Sequence, residues 1–154
     1  MEIEDKIVEE QRLAIINYIG NVKDMGILIA KLLAWAEVKK VEVIGNPFSI
    51  YFTSPQNTDP EEMVYDMCIP ISKDTELSEE GEIKVVELLE HRVLSTIHKG
   101  SYETLKQSYE KMVEYSIKNN YDIIGSPKEV YINSPHEVPE NELLTEIQFP
   151  VIKM

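Results

Sequence analysis

Apolar and polar positions recur with two different periods along this chain, and each change of period marks a predicted element. Val, Ile and Leu crowd the runs Arg12–Ile19 (RLAIINYI) and Ile83–His98, a composition that reads as β-strand. After Gly100 the spacing lengthens. Tyr102, Leu105, Tyr109, Met112, Val113 and Ser116 recur three and four apart, which predicts a helix with one apolar stripe. Ser101 is a natural N-cap for it, and Glu103 stands in the first turn, where the helix dipole favours a carboxylate. In the first half Asn21 can cap, and Leu28, Ile29, Leu32, Leu33 and Trp35–Ala36 carry the apolar face. Gly26 weakens that helix by about 1 kcal/mol relative to Ala. Gly45-Asn-Pro47 and Gly125-Ser-Pro127 supply turns, followed by short strands Phe48–Thr53 and Lys128–Asn133 that end at Ser-Pro. Final strands are predicted at Met63–Ile71 and Leu143–Ile152. Pro70 and Pro150 sit near their ends, where a missing ladder donor matters least.

The two halves carry one pattern at an offset of 80 residues. Gly20 falls on Gly100, Lys31 on Lys111, Ile44-Gly45 on Ile124-Gly125, Pro47 on Pro127 and Tyr51 on Tyr131. Ser54-Pro55, Glu62 and Pro70 fall on Ser134-Pro135, Glu142 and Pro150, and Trp35 and Asp66 fall on Tyr115 and Glu146. So many matches in one ungapped register identify a duplication. The expected fold class is α+β: two βαββ repeats, about 1–74 and 81–154, in one domain spanning 1–154. The polar segment 72–81 connects them. The sheet is expected to be mostly antiparallel, with two main helices on one face.

Composition adds bounds rather than chemistry. The chain has 154 residues, 43% hydrophobic and 28% charged, enough for one folded core. No apolar run approaches a membrane span, and the acidic opening Met-Glu-Ile-Glu-Asp is not a targeting signal. Cys68 is alone, so no intrachain disulfide forms, and a cytoplasmic setting is the expectation. The net charge of −13 repels phosphate backbones and anionic lipid, so neither direct nucleic-acid binding nor membrane binding is expected. His91, His98 and His136 lack metal-ligand spacing with Cys68 or with one another, and no phosphate-binding glycine pattern occurs. No metal and no cofactor are expected.

The motifs Gly100-Ser-Tyr102-Glu-Thr-Leu105, Tyr109, Gly125-Ser-Pro127-Lys-Glu-Val-Tyr131 and Leu144-Thr-Glu146-Ile-Gln-Phe-Pro150 together resemble the GyrI-like (AraC-type) effector-binding domain. Trp35-Ala36, Gly45-Asn-Pro47 and Tyr65-Asp66…Pro70 extend the resemblance to the first half. It implies a pseudo-twofold pair of βαββ modules around a ligand groove, in which hydrophobic and often cationic compounds are captured. It also implies an acidic residue on the last strand facing the ligand, which carries over to Glu146. Many relatives carry a helix-turn-helix segment. Only about ten residues precede the first predicted strand here, so none is expected, and a separate regulator protein is a conceivable partner.

Strand alternation sorts the candidates around that carboxylate. Ile147, Phe149 and Val151 share one face of the last strand, and Leu144, Glu146 and Gln148 the other. Met67, Ile69 and Ile71 stand likewise against Val64, Asp66 and Cys68. The apolar faces should meet the helices, leaving Glu146, Asp66, Cys68 and Gln148 to line the groove. Tyr51 and Tyr131 either point into it or pair across strands, and Tyr102, beside Gly100, borders it. Trp35, Tyr109 and Tyr65 read as core. The leading expectation is a binding module that senses or sequesters a small hydrophobic or cationic ligand. Two alternatives stay open: a hydrolase of electrophilic toxins, as some family members are thought to be, with Glu146 activating water and Tyr131 donating a proton; and a protein-interaction module such as a gyrase modulator.

Overall fold

A computed structural model describes residues 1–154. In chain order the elements are β1 (Ile3–Val8), β2 (Gln11–Ile19), α1 (Met25–Lys39), β3 (Phe48–Tyr51), β4 (Val64–Ile71) and β5 (Lys84–Leu88). The second half continues with β6 (His91–Lys99), α2 (Leu105–Lys118), β7 (Tyr121–Ile123), β8 (Lys128–Tyr131) and β9 (Leu144–Lys153). They form two compact units, one of residues 9–90 and one of residues 1–8 with 91–154. In the first unit the strands pair antiparallel in the order β3-β4-β2-β5, and α1 packs on β4 and β2. In the second the order is β1-β6-β9-β8, with β7 pairing further along β9, and α2 packs on β6 and β7.

The unit boundaries differ from the sequence repeats in one informative way. The run Ile83–His98 is two strands, β5 and β6, broken at Leu89-Glu90, and the residues before Arg12 hold a strand as well. β1 is the offset-80 counterpart of β5, so each repeat begins with an extra strand. That strand pairs in the unit built mainly from the other repeat. β1 escaped the hydrophobic pattern because Ile-Glu-Asp-Lys-Ile-Val is an edge strand whose attachment is largely polar. The Asp5 carboxylate accepts from the Tyr121 hydroxyl at 2.6 Å and from Arg92 Nε at 2.9 Å. The Tyr121 hydrogen bond holds the Asp5 pKa below the ordinary carboxylate value, assisted by Arg92 against the opposing effect of burial.

Local structure follows the caps. The Asn21 side chain accepts from Lys23 N at 2.9 Å and the Ser101 hydroxyl from Glu103 N at 3.1 Å. Each opens a single 3-10 turn, and the α-helix begins only afterwards, at Met25 or Leu105. The buried line of α1 is Leu28, Leu32 and Ala36, and that of α2 is Leu105, Ser108, Met112 and Ser116. Leu33 and Val113, expected on the apolar stripes, lie one position off those lines and are 47% and 39% exposed. In the second unit Leu105 and Met112 pack on Leu94, Ile147, Phe149 and Val151, which identifies the helix-covered face of β9.

The duplication extends to backbone detail. Lys40 and Asn120 end the two helices in left-handed conformation, at φ 58° and 61°. Gly45 and Gly125 each pack flat against the proline of the last strand in their own unit. Ile44 N donates to the Pro70 carbonyl at 3.0 Å, and Ile124 N to the Pro150 carbonyl at 2.9 Å. A Cβ on Gly45 would stand 2.9 Å from Pro70 Cγ, and one on Gly125 3.0 Å from Pro150 Cγ. These contacts explain why glycine and proline recur together at the same offset. Gly125→Ala is expected to cost about 1–2 kcal/mol in chemical denaturation. The cost should largely vanish when Pro150 is replaced by Ala in the same chain.

Candidate functional site

Side chains opposite one another in an antiparallel pair share a face, so the register decides which residues can meet. On the helix-covered side of the second unit, Thr145 of β9 lies between His98 of β6 and Tyr131 of β8. One step along, Ile147 lies between Thr96 and Glu129. Glu129 is only 8% exposed. Its Oε1 accepts from the Tyr131 hydroxyl at 3.1 Å, and its Oε2 from the Tyr109 hydroxyl of α2 at 2.5 Å. The Tyr102 ring stands edge-on to Tyr131 with centroids 6.1 Å apart, and Tyr109 stands edge-on to Phe149 at 5.6 Å. The result is a buried carboxylate walled by three tyrosines. Burial raises the Tyr102 pKa, and the negative charge of Glu129 raises it further.

The turn carrying Tyr102 is braced from beneath. Gly100 adopts φ 127°, a region open chiefly to glycine, and its N–H donates to the Leu143 carbonyl at 2.8 Å. His98 Nε2 lies 3.1 Å from the Ser101 carbonyl and 3.0 Å from Thr104 Oγ1, while Nδ1 lies 2.7 Å from Ser108 Oγ. A carbonyl only accepts, so Nε2 carries a proton directed at Ser101.

The opposite face of the same sheet holds Glu146 and Gln148. Glu146 Oε2 is 2.7 Å from Lys6 Nζ and accepts from Ser95 Oγ at 2.6 Å and Gln148 Nε2 at 2.8 Å. Its side chain is 15% exposed. Burial alone would raise the Glu146 pKa, but the hydrogen bonds from Lys6, Ser95 and Gln148, with the Lys6 charge, bring it below the ordinary value. In the other unit Asp66 occupies the equivalent face. It accepts from Asn17 Nδ2 at 2.9 Å, and here burial outweighs that bond and the more distant Lys84 charge, so the pKa is raised. Cys68, fully buried, lies on the Asp66 face with its thiol toward the Asp66 carbonyl at 3.8 Å.

The candidates named from sequence are thus distributed over two faces. Glu146 and Gln148 touch one another, and Asp66 and Cys68 share a strand face. Tyr131 and Tyr102 stand together on the helix-covered side with Glu129. Tyr51 pairs with Tyr65 on the corresponding side of the first unit, with centroids 5.6 Å apart. Glu146 and Tyr131 lie on opposite sides of β9, so they do not form an acid–base pair. Tyr109, read as a core aromatic, does pack on Phe149 but spends its hydroxyl on Glu129. The sequence reading passed over Glu129, Thr145, His98, Lys6 and Ser95. The signal for Glu129 was available: two-residue alternation in Lys-Glu-Val-Tyr puts it on the Tyr131 side. No group of three or more His, Cys, Asp or Glu side chains is placed to hold a metal ion. No helix is long and apolar enough to cross a membrane.

Duplicated βαββ architecture with a carboxylate among aromatics defines an α+β ligand-binding class, and comparison with known proteins makes the assignment specific. A family model described as GyrI-like small molecule binding domain matches residues 1–152, and the chain belongs to that family. The C-terminal domain of EcmrR is similar in fold at 23% identity and a TM-score of 0.80, covering 99% of this chain and 98% of that domain. In the EcmrR–DNA complex the TM-score is 0.83 at 23% identity. There, 99% of this chain spans 58% of the EcmrR chain. A hydrolase from Listeria innocua has a TM-score of 0.76 at 11% identity, covering 98% of this chain and 92% of that one. SAV2435, solved bound to tetraphenylphosphonium, has a TM-score of 0.60 at 13% identity, covering 99% and 94%.

The two acidic residues on the faces turned away from the helices have opposite linkage to stability. The Glu146 pKa is lowered on folding, so its contribution is complete above the unfolded value and is lost as pH falls through the folded one. The Asp66 pKa is raised, so ionising it opposes folding, and that penalty is complete at neutral pH. In thermal melts at pH 7, Glu146→Gln is expected to destabilise by about 1–2 kcal/mol. Asp66→Asn should raise the melting temperature. Both effects should shrink on moving to pH 3.5.

Proposed function

We propose that this protein senses or sequesters hydrophobic organic cations, with Glu129 as counter-charge and Tyr102, Tyr109 and Tyr131 as the wall that receives the apolar body. The observation that carries this reading is the buried Glu129 carboxylate between two tyrosine hydroxyls. A carboxylate set among tyrosine rings and hydroxyls suits a cationic ligand by charge and by the ring faces around it. A cation with diffuse charge and an apolar body loses little hydration on entering such a site, and aromatic faces attract it by about 2 kcal/mol when desolvated. The phosphonium bound to SAV2435 is a ligand of this chemistry. Glu146 suits the role less well, because Lys6 already neutralises it at 2.7 Å. The acidic surface, at net charge −13, further favours cations over anions in the approach to the site.

Calorimetric titration with tetraphenylphosphonium tests the assignment. Wild type is expected to bind, Glu129→Gln to bind at least about tenfold more weakly, and Glu146→Gln to stay within about threefold of wild type. Loss in Glu146→Gln with retention in Glu129→Gln would move the site to the opposite face of β9. A wild type that binds nothing would end the cation reading altogether.

A hydrolytic reading rests on the 3.1 Å contact that sets the Glu129 carboxylate beside the Tyr131 phenol. It requires turnover of a strained electrophile that disappears in Glu129→Gln. Unchanged compound after prolonged incubation with wild type removes it.

A further inference from the structure

The two repeats fill one position very differently. Tyr65 on β4 is the offset-80 counterpart of Thr145 on β9, and the neighbours correspond as well. Tyr65 lies between Tyr18 and Tyr51, and Thr145 between His98 and Tyr131. In the first unit the Tyr65 ring is fully buried, packs on both neighbouring tyrosines at 5.6 Å and donates its hydroxyl to the Asn21 carbonyl at 3.2 Å. In the second unit a threonine stands where that ring would be. It too is fully buried, and its hydroxyl has no hydrogen-bond partner.

Its neighbours are already committed. Both His98 ring nitrogens are engaged, by Ser101, Thr104 and Ser108, and the Tyr131 hydroxyl directs its proton to Glu129. A buried hydroxyl with nothing to bond is a cost to folding that a ligand N–H would offset. Thr145 and Glu129 stand diagonally on adjacent strands. That relationship puts their backbones about 7–8 Å apart with both side chains on the helix-covered face.

We infer that Thr145 is a specificity-determining residue of the Glu129 site and selects primary or secondary ammonium ligands, which give one N–H to Glu129 and a second to the Thr145 hydroxyl. This rests on the cation reading proposed above. A quaternary ammonium or phosphonium meets the counter-charge and the tyrosine wall but leaves Thr145 unanswered. The first unit offers no second such site, because Tyr65 occupies the equivalent place and Ser49 replaces Glu129.

The test is calorimetry with dibenzylammonium and dibenzyldimethylammonium on wild type and Thr145→Val, with tetraphenylphosphonium as reference. Valine keeps the shape and removes an unsatisfied hydroxyl, so the variant should melt no lower than wild type. Thr145→Val is expected to weaken dibenzylammonium about tenfold or more and to leave dibenzyldimethylammonium within about twofold. Equal loss of both ligands, or of neither, overturns the role of Thr145 while leaving cation binding in place. If wild type binds none of the three compounds, the cation reading falls and this inference with it.

Discussion

β9 carries ladder hydrogen bonds on both edges, to β6 on one side and to β8 and β7 on the other. Strand side chains alternate, so a slip of one residue in either ladder would exchange the two faces of the strand. In the observed register Ile147, Phe149 and Val151 enter the core beneath α2, and that burial holds the ladder in place. Two consequences follow without further design. Thr145 must face the helix, in line with His98 and Tyr131, and Glu146 must face away, within reach of Lys6 and Ser95. The chemistry of this unit is divided between two sides of one strand.

Duplication supplied the framework, and divergence at a few core positions distinguishes the two units. The glycine–proline contacts, the left-handed residues after each helix and the capped 3-10 turns recur at matching places because they set backbone path. Several residues filling the space between helix and sheet do not recur, although Tyr51 and Tyr131 do. At the offset of 80, Tyr65 corresponds to Thr145, Ser49 to Glu129, and Val22 and Ile29 to Tyr102 and Tyr109. The first unit thereby closes its interior with a tyrosine cluster, whereas the second retains a carboxylate and a threonine hydroxyl.

The exchanged first strands account for the contrast between the repeat-equivalent acids Glu146 and Asp66. β1 brings Lys6 against Glu146 at 2.7 Å, so burial is more than offset there. Asp66 receives an amide from Asn17 and only a distant lysine charge, and burial prevails. Repeat-equivalent carboxylates therefore answer pH in opposite directions, although their strands and registers correspond. Glu146, the acid that a reading of the last strand singles out, pairs with Lys6, and Glu129 on the shorter β8 accepts from Tyr109 and Tyr131.

Much of this was legible in one dimension. Internal periodicity located both helices and most strands, the offset of 80 exposed the duplication, and the combined motifs pointed to the GyrI-like family. Alternation sorted the last strands correctly, since Ile147, Phe149 and Val151 do lie beneath α2. Local sequence was silent where structure depends on distant partners. β1 has little hydrophobic signal because Arg92 and Tyr121, over 80 residues away, supply much of its attachment. The side on which Tyr131 stands relative to Glu146 is set by pairing between strands, which no single strand encodes. Composition and spacing thus determined which segments are helix or strand and that the chain is two copies of one pattern. Tertiary structure alone decided which carboxylate meets a lysine and which meets tyrosines, because that depends on the register bringing Lys6 to Glu146 and the Tyr109 and Tyr131 hydroxyls to Glu129.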